Sequence, residues 1–426
     1  MAKFAVPISF LILFFLAANF TDCDLVTFWK RRSHLTDLVV DMIPPDFSYI
    51  QKILLPLFYT IQMSVTGTVL GIFFALVLSP FGAANLGFPA VIRRILRIVI
   101  QILRSFPALI LALTATFLFG LGTFAGTFAI TLYTFAIMTK LTYEDASAAD
   151  VKAYQALRAM GVSKYVAYIH GILPEIIPGF LTNALYLLET NVRHSSILGY
   201  VGAGGIGLLL NEKISWLEYD KVGTILLMLF LTVCVIEYFS RYLAALIRKE
   251  RTIKKEQARL LLLFLAALFL ICTFTLSLPD FSRTSPQTLR NMFAGFLQPD
   301  WSFFFSAEKD GLGYLLLETV CIAFIGTVIG AIVSAPLAFL NTKRFVPAPV
   351  SFLFNLVIMV IRSVPFLVYG LIFIRVSGPG AFTGVLTLAV CSIGLLTKRF
   401  TEALDALDPR PYHALLAMGV RPLPAI

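Results

Sequence analysis

The sequence predicts an all-α membrane protein, a polytopic helical bundle built from two tandem repeats. Three observations support this fold class. Hydrophobic residues make up 58% of the chain and charged residues 14%, whereas roughly a quarter of the residues in a soluble domain are charged. The apolar residues are collected into segments long enough to cross a bilayer, which takes about 20 residues. The third observation is that the chain repeats itself.

The repeat is clearest in two polar segments that share most of their residues. The sequence YQALRAMGV at 154–162 returns as YHALLAMGV at 412–420, so that Gly161 and Gly419 are 258 residues apart. A period of this length indicates a duplicated domain, because solenoid periods are about 20–50 residues. Three further pairs agree with the duplication: RSFP at 104–107 with RSVP at 362–365, GTVLG at 67–71 with GTVIG at 326–330, and PDFS at 45–48 with PDWS at 299–302.

Self-comparison divides the chain into a first repeat at 1–247, a charged cytoplasmic linker at 248–258 and a second repeat at 259–426. Each repeat is expected to open with one helix and an external loop, and further spans follow. Six spans are predicted in the first repeat and four in the second. The ten predicted spans are 4–20, 53–80, 95–119, 124–141, 174–197, 221–246, 259–277, 313–340, 349–374 and 380–398.

The excess of positive charge indicates the topology. The chain has 34 Lys and Arg against 24 Asp and Glu, and the basic residues cluster in alternate short loops, which the positive-inside rule places in the cytoplasm. This pattern predicts a multi-pass protein of the cell's plasma or inner membrane with a cytoplasmic N-terminus. The lipid bilayer is the expected surrounding partner, and nucleic acid is excluded. The basic clusters lie at 93–97, 140–164, 248–259, 343–344 and 398–421.

The two ends of the chain carry separate expectations. Lys3 followed by an apolar run has the pattern of a signal peptide. The second repeat opens with a similar run at 260–277 behind a linker, so residues 1–20 are expected to be retained as a helix. The second repeat stops inside its own copy of the polar segment and lacks two of the expected helices. Three explanations are open: the chain is a fragment, the gene is interrupted, or another permease chain supplies the missing pair.

The first polar segment contains the most informative motif. It has acidic residues and alanines at 144–150, then Gln155-Ala156-Leu157, Gly161 and the sequence Gly-Ile-Leu-Pro at 171–174. This arrangement resembles the signature loop of ABC importer permeases, in which a Glu-Ala-Ala triplet is followed by a glycine and later by a hydrophobic-Leu-Pro sequence. Gln155 and Leu157 replace two letters of the triplet. The second repeat carries His413-Ala414-Leu415 and Gly419 at the matching places.

The resemblance implies a mechanical role for this loop. A short Ala-rich helix that ends at a glycine, where the chain can turn sharply, makes a compact knob that docks in a groove of an ATPase subunit. The alternative is an ordinary polar loop between spans, but such a loop would not be expected to recur with the same residues. Ten residues are assigned to coupling: Glu144, Ala148, Gln155, Ala156, Gly161, Leu173, Pro174, Glu402, Ala414 and Gly419.

A glycine-rich segment at 201–207, VGAGGIG, contains the pattern Gly-x-Gly-x-x-Gly. In a dinucleotide-binding domain this pattern follows a strand and opens a helix of a βαβ unit, whereas here it lies between two predicted spans. Close backbone packing near the external mouth of a pathway is therefore the preferred interpretation, and Gly204 and Gly205 are assigned to that pathway. The segment also resembles importer permeases of the phosphonate and methionine branches.

Three polar residues in the preceding span, Glu189, Asn191 and Arg193, are further pathway candidates. Ionisable residues within spans usually face a cavity or pair with each other. Arg193 suits contact with phosphonate or phosphate oxygens because its guanidinium donates in a fixed fork. The alternative is an ion pair with Glu189 at i,i+4 on the same helix. The run from Glu189 to Arg193 and the two Pro-Asp-aromatic-Ser copies resemble the phosphonate branch more than the methionine branch.

Arg104 and Arg362 each stand before Ser-x-Pro, one to two turns inside a predicted helix. Proline removes a backbone donor and kinks a helix, so the two kinked helices could line the pathway. Equally, each arginine could extend to the cytoplasmic surface, and both interpretations are open. The repeated glycines at 67 and 71, and at 326 and 330, are expected to allow close contact between helices.

No other chemistry is indicated by the sequence. It has no Gly-Lys pair and therefore no P-loop for ATP, and no Ser/His/Asp or Cys/His constellation is evident. The five cysteines lie singly, without the spacing of a metal site or a disulfide framework. The chain is therefore expected to be a non-catalytic subunit with no cofactor of its own.

The resemblance implies the fused, duplicated permease of an ATP-driven importer, with the type I ABC importer transmembrane fold. Two ATPase subunits, which would bind ATP and Mg, would grip the two loops, and an extracytoplasmic solute-binding protein would deliver the solute. The substrate is expected to be a phosphonate or a related phosphorus oxyanion, with methionine or another small solute as the alternative. A secondary transporter and a membrane-embedded enzyme are the rivals from other classes; the first needs acids within spans and the second clustered His, Asp or Glu.

Overall fold

The computed structural model is helical throughout. It describes residues 2–22, 25–248, 254–279, 300–306 and 311–408, with further positions at 287, 290–291, 294–295, 298, 308–309, 410, 414 and 417–419. No strand occurs among these residues. The predicted all-α class is confirmed.

The α-helices of the described residues are numbered here in chain order. The first nine are α1 Ala2–Phe20, α2 Leu25–Lys30, α3 Arg32–Asp41, α4 Ile50–Gly82, α5 Ala90–Ser105, α6 Ala108–Phe119, α7 Thr123–Ala148, α8 Lys152–Ala159 and α9 Lys164–Gly171. The others are α10 Leu173–Leu198, α11 Ile206–Ser215, α12 Tyr219–Ile247, α13 Lys255–Phe274, α14 Trp301–Phe305, α15 Leu312–Asn341, α16 Ala348–Ser363, α17 Phe366–Ser377 and α18 Ala381–Ala406. Short 3-10 helices occur at Phe47–Tyr49 and Gly199–Val201.

These helices form two compact units. The continuous unit comprises Pro44–Gly295, and the split unit comprises Met1–Ile43 together with Phe296–Ile426. Within the split unit α1 packs against α15, and within the continuous unit α13 packs against α4. The helix that opens each sequence repeat is therefore packed on the core of the other repeat. The boundaries at 247 and 259 describe the duplication in the sequence, and they are not the boundaries of the packing units.

Each unit contains one pair of long helices in close contact, α4 with α7 and α15 with α18. A Cβ atom added to Gly67 would lie 2.8 Å from the Cβ of Ile130, and one added to Gly326 would lie 2.8 Å from the Cβ of Leu388. Such separations are too short for a side chain, so only glycine lets these backbones approach. The predicted close contact of the repeated glycines is confirmed at both places.

Two of the predicted spans are broken. The segment predicted as one helix at 95–119 forms α5 and α6 with a bend of 95° between them, and the segment at 349–374 forms α16 and α17 with a bend of 88°. The prediction of two continuous helices is therefore wrong. Sequence hydropathy does not register the break, because the two arms of each bent pair taken together are apolar enough to be read as one span.

Proline explains both breaks. Pro107 and Pro365 stand directly before α6 and α17, and the residues before them are extended, with ψ of 125° at Phe106 and 126° at Val364. Proline disfavours the helical conformation in the residue that precedes it and has no N–H to donate. The break at the first-repeat proline thus places Arg104 in the last turn of α5 rather than within a longer helix.

The remaining spans agree with the described helices. By length and composition, α4, α7, α12, α13, α15 and α18 can each cross a membrane, and three bent pairs raise the number to nine. The third bent pair is α9 with α10, at 70°. The predicted span 4–20 lies within α1, Ala2–Phe20.

The duplication extends to local structure outside the spans. The Asp46 carboxylate accepts hydrogen bonds from Ser48 N at 2.9 Å and Ser48 Oγ at 2.6 Å. The Asp300 carboxylate accepts from Ser302 N at 3.0 Å and Ser302 Oγ at 2.5 Å. In both cases the serine hydroxyl is the main cause that lowers the pKa of the aspartate. Each aspartate caps the short helix that follows it.

Candidate functional site

The first polar segment folds into two short helices at the end of α7. α8 and α9 follow in the chain, and α9 leads into α10. One cluster of buried residues holds them together, including Tyr143 and Ala146 of α7, Tyr154 of α8 and Tyr168 of α9. Because a packed core transmits displacement, a movement of α8 would be passed to α7 and α10.

Gly161 ends α8 in a Schellman motif. Its N–H donates to the Arg158 carbonyl at 3.1 Å, and the Val162 N–H donates to the Leu157 carbonyl at 3.2 Å. The motif needs a left-handed residue, and Gly161 has a φ of +84°. Among the described residues nothing lies within 4 Å of the place a Cβ would occupy. The outer side of this turn is therefore open to a partner.

The face of α8 that points away from the buried cluster is exposed. Tyr154 keeps 5% of its surface, whereas Met160 keeps 71%. Gln155 and Ala156, both assigned to coupling, are exposed on this helix. α8 is thus packed against the rest of the protein on one face and exposed on the other, as a helix that docks on a partner must be.

The other predicted coupling residues of the first repeat stand at helix ends. Glu144 lies one turn before the end of α7 and forms an ion pair with Lys140 at 3.4 Å, and Ala148 is the last residue of α7. Leu173 opens α10 and packs against the buried cluster. Pro174 follows it in the first turn, where its missing N–H is not needed.

The coupling residues of the second repeat are described in part. Glu402 is exposed near the end of α18 and pairs with Arg399 at 3.2 Å. Ala414 is helical and exposed, and Gly419 has a φ of +82°, within a few degrees of its first-repeat counterpart. The neighbouring positions 411–413 and 415–416 lie outside the described residues.

Two residues that the sequence does not assign to the site, Tyr154 and Gly171, hold α8 in place. The Tyr154 hydroxyl donates to the Leu86 carbonyl at 2.6 Å, and burial raises the pKa of this tyrosine. A Cβ on Gly171 would lie 2.8 Å from Tyr154 N, so glycine is needed where α9 passes α8. The recurrence of tyrosine at 154 and 412 was the available signal for the first of them.

Asn191, a predicted pathway residue, lies in a buried hydrogen-bond network that joins α4, α7 and α10. Its Nδ2 donates to Thr68 Oγ1 and to Thr134 Oγ1, each at 2.8 Å. One turn along α10, Ser195 Oγ is hydrogen-bonded to Ser64 Oγ at 2.7 Å. Asn191 is fully buried. The structure gives it a role in joining three spans, and its place in the pathway stays a prediction.

Glu189 and Arg193 form the ion pair that was one of two alternatives from the sequence. The guanidinium donates to the carboxylate within α10. The Glu189 side chain is 6% exposed and the Arg193 side chain 19%. The Arg193 side chain keeps part of its surface exposed, and its contact with an oxyanion stays a prediction.

The glycine-rich segment is a tight turn that packs on α4. Gly202, Gly204 and Gly205 have φ values of +83°, +77° and +75°. The Ile206 N–H donates to Thr60 Oγ1 at 2.8 Å, and a Cβ on Gly205 would lie 2.7 Å from the same oxygen. The predicted close packing of the backbone is therefore present. The structure describes no strand before this turn, which removes the dinucleotide-binding interpretation.

Arg104 lies in the continuous unit just before the break between α5 and α6. It is exposed at the end of α5. Two residues on, Phe106 packs in a cluster that contains Tyr133 of α7 and Leu198 of α10, and the ring of His194 contacts the ring of Tyr133 at 5.0 Å. The break after α5 thus places this arginine two residues before a side chain that packs with residues of α7 and α10.

Arg362 occupies the matching place in the split unit. It is half-buried in the last turn of α16. A Cβ atom added to Gly394 of α18 would lie 2.9 Å from the Cγ of Arg362. The aliphatic part of this arginine is therefore packed against a neighbouring span. Whether either arginine lines a pathway stays a prediction.

No group of three or more His, Cys, Asp or Glu side chains that could hold a metal ion occurs in the described part of the chain. The polar residues of α10 instead form hydrogen bonds with each other and with hydroxyl groups of α4 and α7. The site therefore consists of an exposed knob at one end of α7 and α10 and a polar region further along α10.

Comparisons with known proteins identify relatives of this arrangement. The family model for the inner membrane component of binding-protein-dependent transport systems matches residues 67–251. The phosphate-import permease protein PhnE of Mycolicibacterium smegmatis is 25% identical over 394 residues, which cover 91% of this chain and 73% of that protein. The phosphite transport system permease protein PtxC of Stutzerimonas stutzeri is 31% identical over 217 residues, which cover 51% of this chain and 79% of that protein.

A solved structure is also similar in part. The inward-facing MetNI methionine ABC transporter matches with a TM-score of 0.43 and 20% identity, covering 47% of this chain and 99% of the matched chain.

Proposed function

Because this chain belongs to the family of inner membrane components of binding-protein-dependent transport systems, we propose that it moves phosphonate or a related phosphorus oxyanion into the cytoplasm. It is a permease of an ABC importer, and the substrate class, the partners and the transport cycle are the content of the proposal. The observation that carries the substrate class is the similarity to a phosphate-import permease over 91% of the chain.

The polar residues of α10 support an anionic substrate. Arg193 retains 19% of its side-chain surface beside the carboxylate of Glu189, and Arg104 is exposed at the end of α5. Guanidinium groups bind phosphorus oxyanions through paired N–H donors. The further relative from Stutzerimonas stutzeri is named for phosphite, which has the same type of oxygen atoms.

The transport cycle that we propose uses the knob formed by α8. An ATPase dimer closes on ATP and pushes on the exposed face that contains Gln155, Ala156 and Gly161. Because α8 is packed to α7, α9 and α10 through the cluster around Tyr154 and Tyr168, the spans move with it. ATP acts by binding more tightly to one of two states, outward-facing or inward-facing, and so shifts their populations.

The partners in this proposal follow from the family. Two ATPase subunits bind ATP and Mg and hydrolyse the nucleotide, so the permease itself needs no cofactor. A solute-binding protein delivers the oxyanion at the external side. The N-terminus and the loops with clustered Lys and Arg face the cytoplasm.

Uptake by cells with and without the gene tests the substrate class. We expect that deletion abolishes uptake of radiolabelled phosphite or methylphosphonate, that the gene on a plasmid restores it, and that methionine uptake is unchanged. Loss of methionine uptake with normal uptake of phosphorus oxyanions would overturn the proposed substrate. Uptake that survives depletion of ATP but stops when ion gradients collapse would show a secondary transporter instead.

A further inference from the structure

The continuous unit contains a groove of about 750 Å³ between four spans. α4 and α10 form its floor, and α12 and α13 form its walls. Its lining is aliphatic and aromatic except for two hydroxyl side chains, Thr68 and Ser240. An apolar cavity does not hold ordered water, so in a bilayer this groove needs an apolar occupant.

The groove is open at its side. Leu262 of α13 keeps 67% of its surface, Leu181 of α10 keeps 39% and Val69 of α4 keeps 38%, although all three line the groove. The described protein residues therefore leave the groove accessible. A lipid acyl chain, the most abundant apolar species beside a membrane span, can enter from the side.

The length of the groove fits one leaflet. On α13 the lining extends from Ala258 to Phe269, which at about 1.5 Å per residue is roughly 17 Å. Half of a hydrocarbon core that is about 30 Å thick is a similar distance. The groove starts at the first turn of α13 and so begins at one surface of the membrane and ends near its middle.

The end of the groove at the membrane surface is basic. Ala258, Leu262, Leu265 and Phe269 line the groove at helical spacing, and Lys255 lies three residues before the first of them, on the same face of α13. Lys254, at the N-cap, is seven residues before the lining residue Leu261, and both lysines are exposed. By the same spacing Glu256 points away from the groove. A negative headgroup is therefore favoured over a zwitterionic one, since basic residues beside a span attract anionic lipids.

We propose that this groove is a specific binding site for an anionic phospholipid. One acyl chain lies between α12 and α13 on α4 and α10, and the headgroup phosphate contacts Lys254 and Lys255. The site is independent of the proposed substrate, because none of the coupling or pathway candidates lines it.

A photoreactive lipid tests the site directly. The purified full chain is reconstituted in phosphatidylcholine vesicles with a trace of phosphatidylglycerol or phosphatidylcholine that carries a diazirine in the acyl chain, and labelled peptides are identified by mass spectrometry. We expect labelling of peptides from α12 and α13, several-fold stronger for phosphatidylglycerol. Equal labelling by both lipids would overturn the anionic preference.

Matched variants separate the groove from the general lipid shell. Leu265→Trp fills the groove and should reduce labelling, whereas Leu263→Trp, at a residue with 59% exposure outside the lining, should leave it unchanged. Equal effects of the two would show only non-specific lipid contact and would overturn the site.

The exposed lysines provide a test that does not depend on core packing. Lys254→Gln with Lys255→Gln should reduce labelling by phosphatidylglycerol by about tenfold, toward the level of phosphatidylcholine. Arg93→Gln with Arg94→Gln removes the same charge from α5, which contributes nothing to the lining, and should have little effect. If both pairs reduced labelling equally, the preference would be a property of net charge and the headgroup site would be disproved.

Discussion

The hydroxyl group of Tyr154 donates a hydrogen bond of 2.6 Å to the main-chain carbonyl of Leu86. Tyr154 belongs to α8, and Leu86 belongs to the turn between α4 and α5. Leu86 is fully buried, so the bond lies within the core that holds the knob. The bond connects α8, the proposed ATPase-docking helix, to the turn between α4 and α5. Through the buried cluster α8 also packs on α7 and α10.

Removal of that bond should loosen the knob. Tyr154→Phe leaves a buried carbonyl without its donor, which costs about 1–3 kcal/mol. We expect a lower midpoint of thermal unfolding in detergent and a reduced rate of ATP-driven uptake. Tyr165→Phe is the matched control, because the ring of Tyr165 packs on Phe81 in the same region. A Tyr154→Phe protein with unchanged stability and uptake would contradict the role of this bond.

Substitution of Gly161 separates the turn from the docking surface. Gly161→Asn tolerates the left-handed conformation and should keep most of the uptake. Gly161→Trp has space for its side chain but is strained at the φ of +84°. Because nothing lies near the added side chain, the protein should still reach the membrane, but its bulk should prevent seating on the ATPase. Uptake and membrane abundance are measured together. Normal uptake by Gly161→Trp would argue against coupling through this turn.

A double variant distinguishes the two roles of Arg193. Arg193→Gln leaves a carboxylate that is 6% exposed without its ion pair, which costs about 3–5 kcal/mol, so abundance should fall. Arg193→Gln combined with Glu189→Gln removes both charges and should restore abundance. If Arg193 contacts the oxyanion, uptake stays low in the double variant. Recovery of uptake together with abundance would show that the pair is only structural.

The hydrogen-bond network around Asn191 should stabilise the continuous unit. Thr134→Val keeps the shape of the side chain and removes one acceptor of the Asn191 amide, at a cost of about 0.6–1.7 kcal/mol within a membrane. We expect a lower midpoint of thermal unfolding. Thr114→Val is the control, because the Thr114 hydroxyl is exposed and bonds only locally to the Ile110 carbonyl. Equal effects of the two variants would contradict a special role for the network.

Much of the architecture follows from the amino-acid sequence alone. Hydropathy locates the described spans, because the exclusion of water from the bilayer makes length and apolarity sufficient criteria. Self-comparison finds the duplication, and the structure repeats it in the glycine contacts at Gly67 and Gly326 and in the turns at Asp46 and Asp300. The motif around Gly161 predicts a short helix with a sharp end, and the Schellman motif is the physical form of that end.

The breaks at Pro107 and Pro365 can be predicted only in part from the sequence. The sequence contains both prolines, and their effect on the backbone is local. The size of the bends, 95° and 88°, depends on what the two arms pack against. A kink can therefore be predicted from the residues, whereas a complete change of direction cannot.

The sequence alone determined the class of the protein, the location of its apolar segments, its duplication and the short helix that ends at Gly161, because these depend on solvation and on interactions between near neighbours in the chain. Only the tertiary structure decided that α1 packs on α15 and α13 on α4, that Asn191 is buried in a network, and that Glu189 is paired with Arg193. The physical reason is that the apolar faces of different spans have similar hydropathy, so hydropathy does not indicate which face packs on which. Partners are selected by shape and by hydrogen bonds between residues far apart in the chain, such as Gln62 Nε2 and the Cys272 carbonyl at 3.1 Å.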